Sequence, residues 1–142
     1  MEHIWIMEAR ALETAEKISV NMNIGTLSQM DLLVDGGYYS NRSDFINQAV
    51  RQVLDQKQGL IDQLSEQHRA AGDEWFIGIL AGPSREMLLR AREQGRKLRI
   101  RGYGLLTIDK SLDELVMETV SEISVRGKVL CSAKLKEHFG LK

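Results

Sequence analysis

The first clear pattern along the chain is a strict alternation of polar and apolar residues from residue 17 to residue 23. Ile18, Val20 and Met22 fall on one face of this stretch. The other face carries Lys17, Ser19, Asn21 and Asn23. Because side chains of a β-strand point alternately to opposite faces, the alternation predicts a strand with one apolar side. The preceding residues 8–16 are rich in Ala, Glu and Leu and predict a short helix or an ordered arm.

After Gly25 the apolar residues follow a helical spacing, which predicts two consecutive helices. The first ends at the pair Gly36-Gly37, a typical C-terminal stop. The second begins after Asn41, with Asp44 three residues later as a variant of the capping box. Its apolar face consists of Phe45, Ile46, Ala49, Val50, Val53 and Leu54. The pattern continues past Gly59 to about residue 71, and Gly72-Asp73 is the best candidate break between domains.

The C-terminal half alternates between strand-like and helical segments. Strands are predicted at 75–81, 98–108 and 123–131, with helices after the turn Gly82-Pro83-Ser84 and at 111–120. The pentapeptides 98–102 and 123–127 resemble each other at a spacing of 25 residues, and Gly78 lies 24 residues before Gly102. A strand–helix unit repeated in this way predicts either a small parallel sheet or a short solenoid.

The strand at 17–23 cannot satisfy its backbone alone, because only two helices follow it before the second half of the chain begins. Two copies pairing antiparallel would form a ribbon, with four helices burying the apolar faces in a shared core. The sequence therefore predicts a homodimer.

In such a dimer the polar faces of both strands lie side by side, and a two-stranded ribbon fits the major groove of B-DNA. Asn21 can pair with adenine, Ser19 can donate or accept a hydrogen bond, and Lys17 can reach guanine or phosphate. The start of the second helix offers a phosphate site, where free N–H groups would be assisted by Arg42 and Ser43. The alternative is that Asn41 and its neighbours only cap the helix.

These residues resemble a known family. Lys17–Asn23, an apolar helix, a Gly-rich turn and the run from Asn41 to Ile46 (NRSDFI) are similar to the CopG/Arc/MetJ-type ribbon–helix–helix repressors. The most specific part, DLLV followed by YSNRSDFI, resembles a CopG-like subset. The resemblance implies an obligate dimer, or a higher oligomer on DNA. It also implies base reading by Lys17, Ser19 and Asn21, and phosphate binding by Asn41, Arg42 and Ser43.

Charge limits the strength of any DNA contact. The chain has a net charge of −1, and residues 17–58 hold four basic and four acidic side chains, which predicts modest non-specific affinity. The most basic stretch is residues 85–101. It either forms a second electrostatic contact, to DNA or to an acidic ligand, or is a solvated helix face. Trp75, Phe76 and Tyr103 either line a ligand pocket or act as packing anchors.

Other function classes find little support. A single cysteine, Cys131, excludes an intramolecular disulfide and suits a reducing cytoplasm, and no pair of histidines has metal-ligand spacing. The absence of a nucleophile–base arrangement and of a dinucleotide fingerprint argues against an enzyme, so we expect neither a catalytic site nor a cofactor. No apolar stretch approaches the roughly 20 residues of a membrane span, and no signal peptide is recognisable.

The predicted fold class is α+β, with an N-terminal ribbon–helix–helix forming an intertwined dimer, followed by a small α/β domain of repeated strand–helix units. The predicted domains are an arm (1–16), the ribbon–helix–helix (17–58), a helical connector (59–73) and an α/β oligomerisation or sensing domain (74–142). The predicted function is a cytoplasmic transcriptional regulator that binds double-stranded DNA as a homodimer or tetramer. Two alternatives are an antitoxin whose C-terminal half captures a protein, and an oligomeric scaffold that does not bind DNA.

Overall fold

The computed structural model describes residues 15–142, so most of the predicted helix or arm at 8–16 lies outside the described residues. The described chain forms two compact units, one extending to Gln63 and the other from Leu64 to Lys142. Its helices are α1 (Ile24–Asp35), α2 (Arg42–Gln56), α3 (Gln58–Ala70), α4 (Arg85–Glu93), α5 (Asp113–Thr119) and α6 (Ala133–Phe139). The strands are β1 (Glu74–Leu80), β2 (Leu98–Thr107) and β3 (Val120–Leu130), and a 3-10 turn covers Lys110–Leu112.

In the first unit, side chains cap the starts of both predicted helices. Asn23 accepts a hydrogen bond from the backbone N–H of Gly25, so α1 begins at Ile24, slightly earlier than expected. The predicted cap of α2 is confirmed, since Asn41 accepts from the N–H of Asp44 at 2.7 Å. Asp44 in turn accepts from the N–H of Ser40, one residue before the cap, at 3.0 Å. This reciprocal pair defines the sharp start of α2.

The predicted strand at 17–23 does not appear as a strand in the single chain, where these residues are neither helical nor hydrogen-bonded in a sheet. The reason is that a strand is defined by pairing, and within residues 15–142 the three strands pair only among themselves. The continuous second helix is also interrupted, at Lys57, where α2 ends and α3 begins.

The second unit contains a three-stranded parallel sheet in the order β1-β2-β3, so of the two predicted alternatives the structure shows the parallel sheet and not the solenoid. The buried residues of its helices pack in one cluster with alternate strand residues, so that α4, α5 and α6 cover the same face. The cluster contains Phe76, Leu88, Ala91, Leu98, Ile100, Leu106, Ile108, Leu115, Val116, Val120, Ile123 and Leu135. The sequence patterns did not predict α6.

The two similar pentapeptides, 98–102 and 123–127, are not aligned with each other in the sheet. Gly102 pairs with Val125, whereas Gly104 pairs with both Gly78 and Gly127. A Cβ on Gly104 would lie 2.0 Å from the Gly78 carbonyl oxygen, and one on Gly127 would lie 1.9 Å from the Gly104 carbonyl oxygen. All three glycines have positive φ, between 106° and 146°. This glycine row lets the three backbones approach where no side chain fits.

Candidate nucleic-acid interface

The predicted base-reading residues lie on an accessible segment. Lys17, Ser19 and Asn21 are all exposed, and no described side chain forms a hydrogen bond or ion pair with them. Their side chains are thus unoccupied by contacts within residues 15–142. The segment's chemistry suits hydrogen bonding to base edges, which needs polar groups not already engaged by the protein.

The apolar residues of the same segment are exposed as well. Ile18 is 78% exposed, Val20 is 70% exposed and Met22 is 37% exposed. Together with residues of α1 and α2 they line an open groove of about 580 Å³. Exposure of β-branched residues at this level is unfavourable in an isolated chain, since each would gain about 1.5–3 kcal/mol on full burial.

Helix α2 presents a second unburied apolar surface. Ile46, Val50, Val53 and Leu54 are between 40% and 53% exposed. Among apolar residues of the described part of this unit, Met30 alone is fully buried, at 3% exposure. The described part of this unit therefore has almost no buried core of its own, and most of its apolar side chains remain in contact with solvent.

The predicted phosphate-binding residues lie together at the start of α2, in three different states. Asn41 is occupied as the cap. Ser43 is exposed, and no hydrogen bond links its side chain to another described residue. Arg42 forms a bidentate ion pair with Asp31 of α1, with both N–O distances at 2.8 Å. This pairing uses two of the five guanidinium N–H groups and leaves the others available.

The Arg42–Asp31 ion pair changes the pKa of both of its partners. The hydrogen bond from Arg42 lowers the pKa of Asp31, and the same bond raises the pKa of Arg42. Asp44 also has a lowered pKa, because the Gln48 side chain and the Ser40 backbone donate hydrogen bonds to its carboxylate. Both carboxylates are therefore ionised at neutral pH, and that of Asp44 lies in the first turn of α2. The pairing partner Asp31 was not identified from the sequence, since it lies 11 residues from Arg42 and no local spacing links them.

Most cations of the basic stretch 85–101 are engaged within the second unit. Arg90 pairs with Glu86 at 2.9 Å, and Arg92 pairs with Glu118 at 3.4 Å. Arg99 pairs with Asp73 at 2.9 Å. Lys97 and Arg85 donate to backbone carbonyls. These contacts favour the solvated, internally paired face over a second DNA-binding surface.

Features of other site classes are not found in the described part of the chain. Residues 15–142 contain no group of three or more His, Cys, Asp or Glu side chains that could hold a metal ion. The Cys131 thiol has a raised pKa because of its burial, which disfavours the reactive thiolate. No helix within the same residues is long and apolar enough to cross a membrane.

Comparison with known proteins agrees with the arrangement at the N-terminal half. The ribbon–helix–helix transcriptional regulator family matches residues 13–136, which include the exposed segment, both capped helices and all three strands of the parallel sheet. Neither the curated proteins nor the solved structures contain a match. Since the match extends over far more than half of the 142 residues, the chain belongs to the ribbon–helix–helix transcriptional regulator family.

Proposed function

We propose that the chain is a sequence-specific DNA-binding regulator, a CopG-like repressor that acts in the cytoplasm as a homodimer or tetramer. The observation that carries the proposal is the exposed alternation at 17–23, apolar on one face and polar on the other. Pairing of this segment with that of a second copy would cover Ile18, Val20 and Met22. It would also bring the polar faces together as a ribbon of the width that the major groove accepts.

In this function Lys17, Ser19 and Asn21 read base edges from each strand of the ribbon. The start of α2 holds a backbone phosphate through the N–H groups of its first turn, with Ser43 and the remaining donors of Arg42. The ion pair with Asp31 fixes the guanidinium in place, while the nearby carboxylate offsets part of its attraction for a phosphate. Phosphate contacts are accordingly few, and specificity depends on the ribbon.

The proposal is tested by selecting DNA sequences with the purified protein and measuring affinity by fluorescence anisotropy. Asn21→Ala removes one bidentate base contact per protomer, each worth about 1–3 kcal/mol. We expect at least about a 30-fold loss of affinity for the selected site, with unchanged affinity for random DNA. Gln52→Ala, an exposed polar change within α2, is the matched control. If Asn21→Ala binds the selected site as tightly as the parent, the ribbon is not the reader.

A salt series separates the two kinds of contact. With Lys17 engaged on the bases and the start of α2 contacting one phosphate in each protomer, about two phosphates are neutralised, and log K should fall with log salt at a slope of about −2. A steeper slope with no selected sequence would mean phosphate contacts alone. The absence of DNA binding at every salt concentration would favour a scaffold whose ribbon serves only for dimerisation.

The antitoxin alternative is less favoured by the structure of the C-terminal half. Residues 64–142 have a buried core of their own and a complete three-stranded sheet. A segment that folds only on a toxin would lack such a core.

A further inference from the structure

The face of the sheet opposite α4, α5 and α6 carries a small pocket. It lies over two neighbouring rows of the sheet, one containing Trp75, Arg101 and Ser124, and the next containing Tyr103 and Arg126. The pocket has a volume of about 150 Å³. Its lining residues are His68, Trp75, Arg101, Gly102, Tyr103, Ser124 and Arg126.

Aromatic rings form the walls of the pocket and are held in place by their neighbours. The His68 ring stacks on Trp75 with centroids 4.0 Å apart and an angle of 4° between the planes. Tyr103 contacts the Trp75 ring edge-on, with ring centroids 5.8 Å apart. His68 is itself fixed by the almost fully buried carboxylate of Asp73, 3.0 Å from Nδ1. His68 thus covers one face of the Trp75 ring, and these contacts hold the rings in place before any ligand reaches their uncovered parts.

Hydrogen-bond donors outnumber acceptors around the pocket. The Trp75 indole N–H is buried and has no hydrogen-bond partner among the described residues. The buried Arg101 Nε also lacks a hydrogen bond there, although the Asp73 carboxylate lies 3.9 Å from it. A buried donor without an acceptor costs free energy, so such groups usually mark a missing partner. The Ser124 hydroxyl adds a further donor that no described residue engages.

The charge of the pocket is positive. No carboxylate lines it, but the charge of Arg101 is offset by Glu122 at 3.2 Å from Nη2 and by the buried Asp73 at 3.9 Å from Nε, so the positive charge left to the pocket is that of Arg126. Arg126 is exposed and forms no ion pair within residues 15–142. One uncompensated guanidinium thus lies beside flat aromatic surfaces, an arrangement that suits a planar anion.

We propose that this pocket binds a small planar organic acid. The carboxylate of the acid pairs with Arg126 and accepts from Ser124, and its flat body lies against Trp75 and Tyr103. The volume of the pocket corresponds to about five water molecules, which matches an acid of one ring or a short conjugated chain. The site belongs to residues 64–142, and its occupancy does not require the DNA binding proposed for residues 17–58.

The test is a fluorescence titration of the full chain carrying Trp5→Phe, which leaves Trp75 as the remaining tryptophan of two. Benzoate is the probe, benzamide is its neutral counterpart, and inorganic phosphate is an anion without a flat body, all at constant ionic strength. We expect saturable quenching by benzoate, and affinities at least about tenfold weaker for benzamide and for phosphate, because each lacks one of the two contacts.

Variants locate the binding. Arg126→Gln should weaken benzoate binding at least about tenfold, since a hydrogen bond to a charged group is lost. Lys128→Gln removes the same charge two residues further along β3, outside the pocket lining, and should change the affinity less than about twofold. Circular dichroism of both variants establishes that the sheet is intact. The proposal is overturned if benzoate does not saturate, if phosphate binds as tightly as benzoate, or if the two variants behave alike.

Discussion

Dimerisation through residues 17–23 can be tested by trimming one side chain. Val20→Ala removes two methyl-sized groups, which contribute about 0.8 kcal/mol each when buried. Because Val20 is 70% exposed in the single chain, most of that contribution is available only to a partner. Scaling by this exposed fraction gives about 1.1 kcal/mol per protomer and about 2 kcal/mol per symmetric dimer, which is about a 30-fold rise in the dissociation constant.

Sedimentation equilibrium with fluorescently labelled protein, over nanomolar to micromolar concentrations, measures this constant. If the parent dimer does not dissociate measurably at these concentrations, the thermal unfolding midpoints of parent and variant are compared at several protein concentrations. This comparison is equivalent because the stability of a dimer depends on the protomer concentration. Ser19→Ala, on the opposite face of the segment, is the control and should leave the constant within about twofold. A parent that is monomeric at micromolar concentration, or a Val20→Ala variant that dimerises like the parent, would refute the reasoning.

Three further predictions concern stability. Asn41→Ala should lower the unfolding free energy by about 1 kcal/mol in urea titrations, since the start of α2 loses its cap, and an unchanged midpoint would contradict this role. Gly104→Ala should cost more than about 3 kcal/mol, because strain at φ +127° adds to the collision with the Gly78 carbonyl. Gly95→Ala, at φ +64° with open space around it, should cost only about 1–2 kcal/mol. The pKa of Asp73 is lowered, chiefly by the hydrogen bond from His68 and then by Arg99, so its stabilisation is present above the ordinary value of 3.8 and is lost as the pH falls through the lowered pKa. The difference in urea midpoint between the parent and Asp73→Asn should therefore shrink below pH 3.8, and a difference independent of pH would exclude the ion pair as its cause.

The sequence patterns predicted elements whose signals are local. The cap at Asn41, the stop at Gly36-Gly37 and the apolar runs of β1 and β2 each depend on residues within a few positions of one another. The parallel pairing also followed, because helical segments separate successive strands.

Contacts between residues far apart in the sequence could not be predicted from these local patterns. The pairing of Arg42 with Asp31 depends on how α1 and α2 meet, and the alignment of Gly104 with Gly127 depends on where each strand begins. The similar pentapeptides at 98–102 and 123–127 suggested a different alignment. Sequence similarity alone does not show at which residue each strand begins after the helix that precedes it. The short α6 lacked any long periodic stretch to indicate it.

The residues predicted to read bases and to bind phosphate remain predictions. They are exposed or lie at the capped start of α2, but an interface built by two chains has no complete set of contacts within one. The neutralising role of Asp31 changes the expected balance between phosphate affinity and base recognition.

The glycine row also has a consequence for how this sheet tolerates change. If β2 slipped by one residue against β1, Tyr103 or Leu105 would take the place of Gly104 beside Gly78, where a Cβ on the present backbone lies 2.0 Å from the carbonyl oxygen. The three glycines therefore favour the one strand register in which they lie side by side. An insertion or deletion within β2 before Gly104 should be far more damaging than one in the turn at Gly95, which has open space around it. Length variation among related chains is thus expected in the connections and not in the strands.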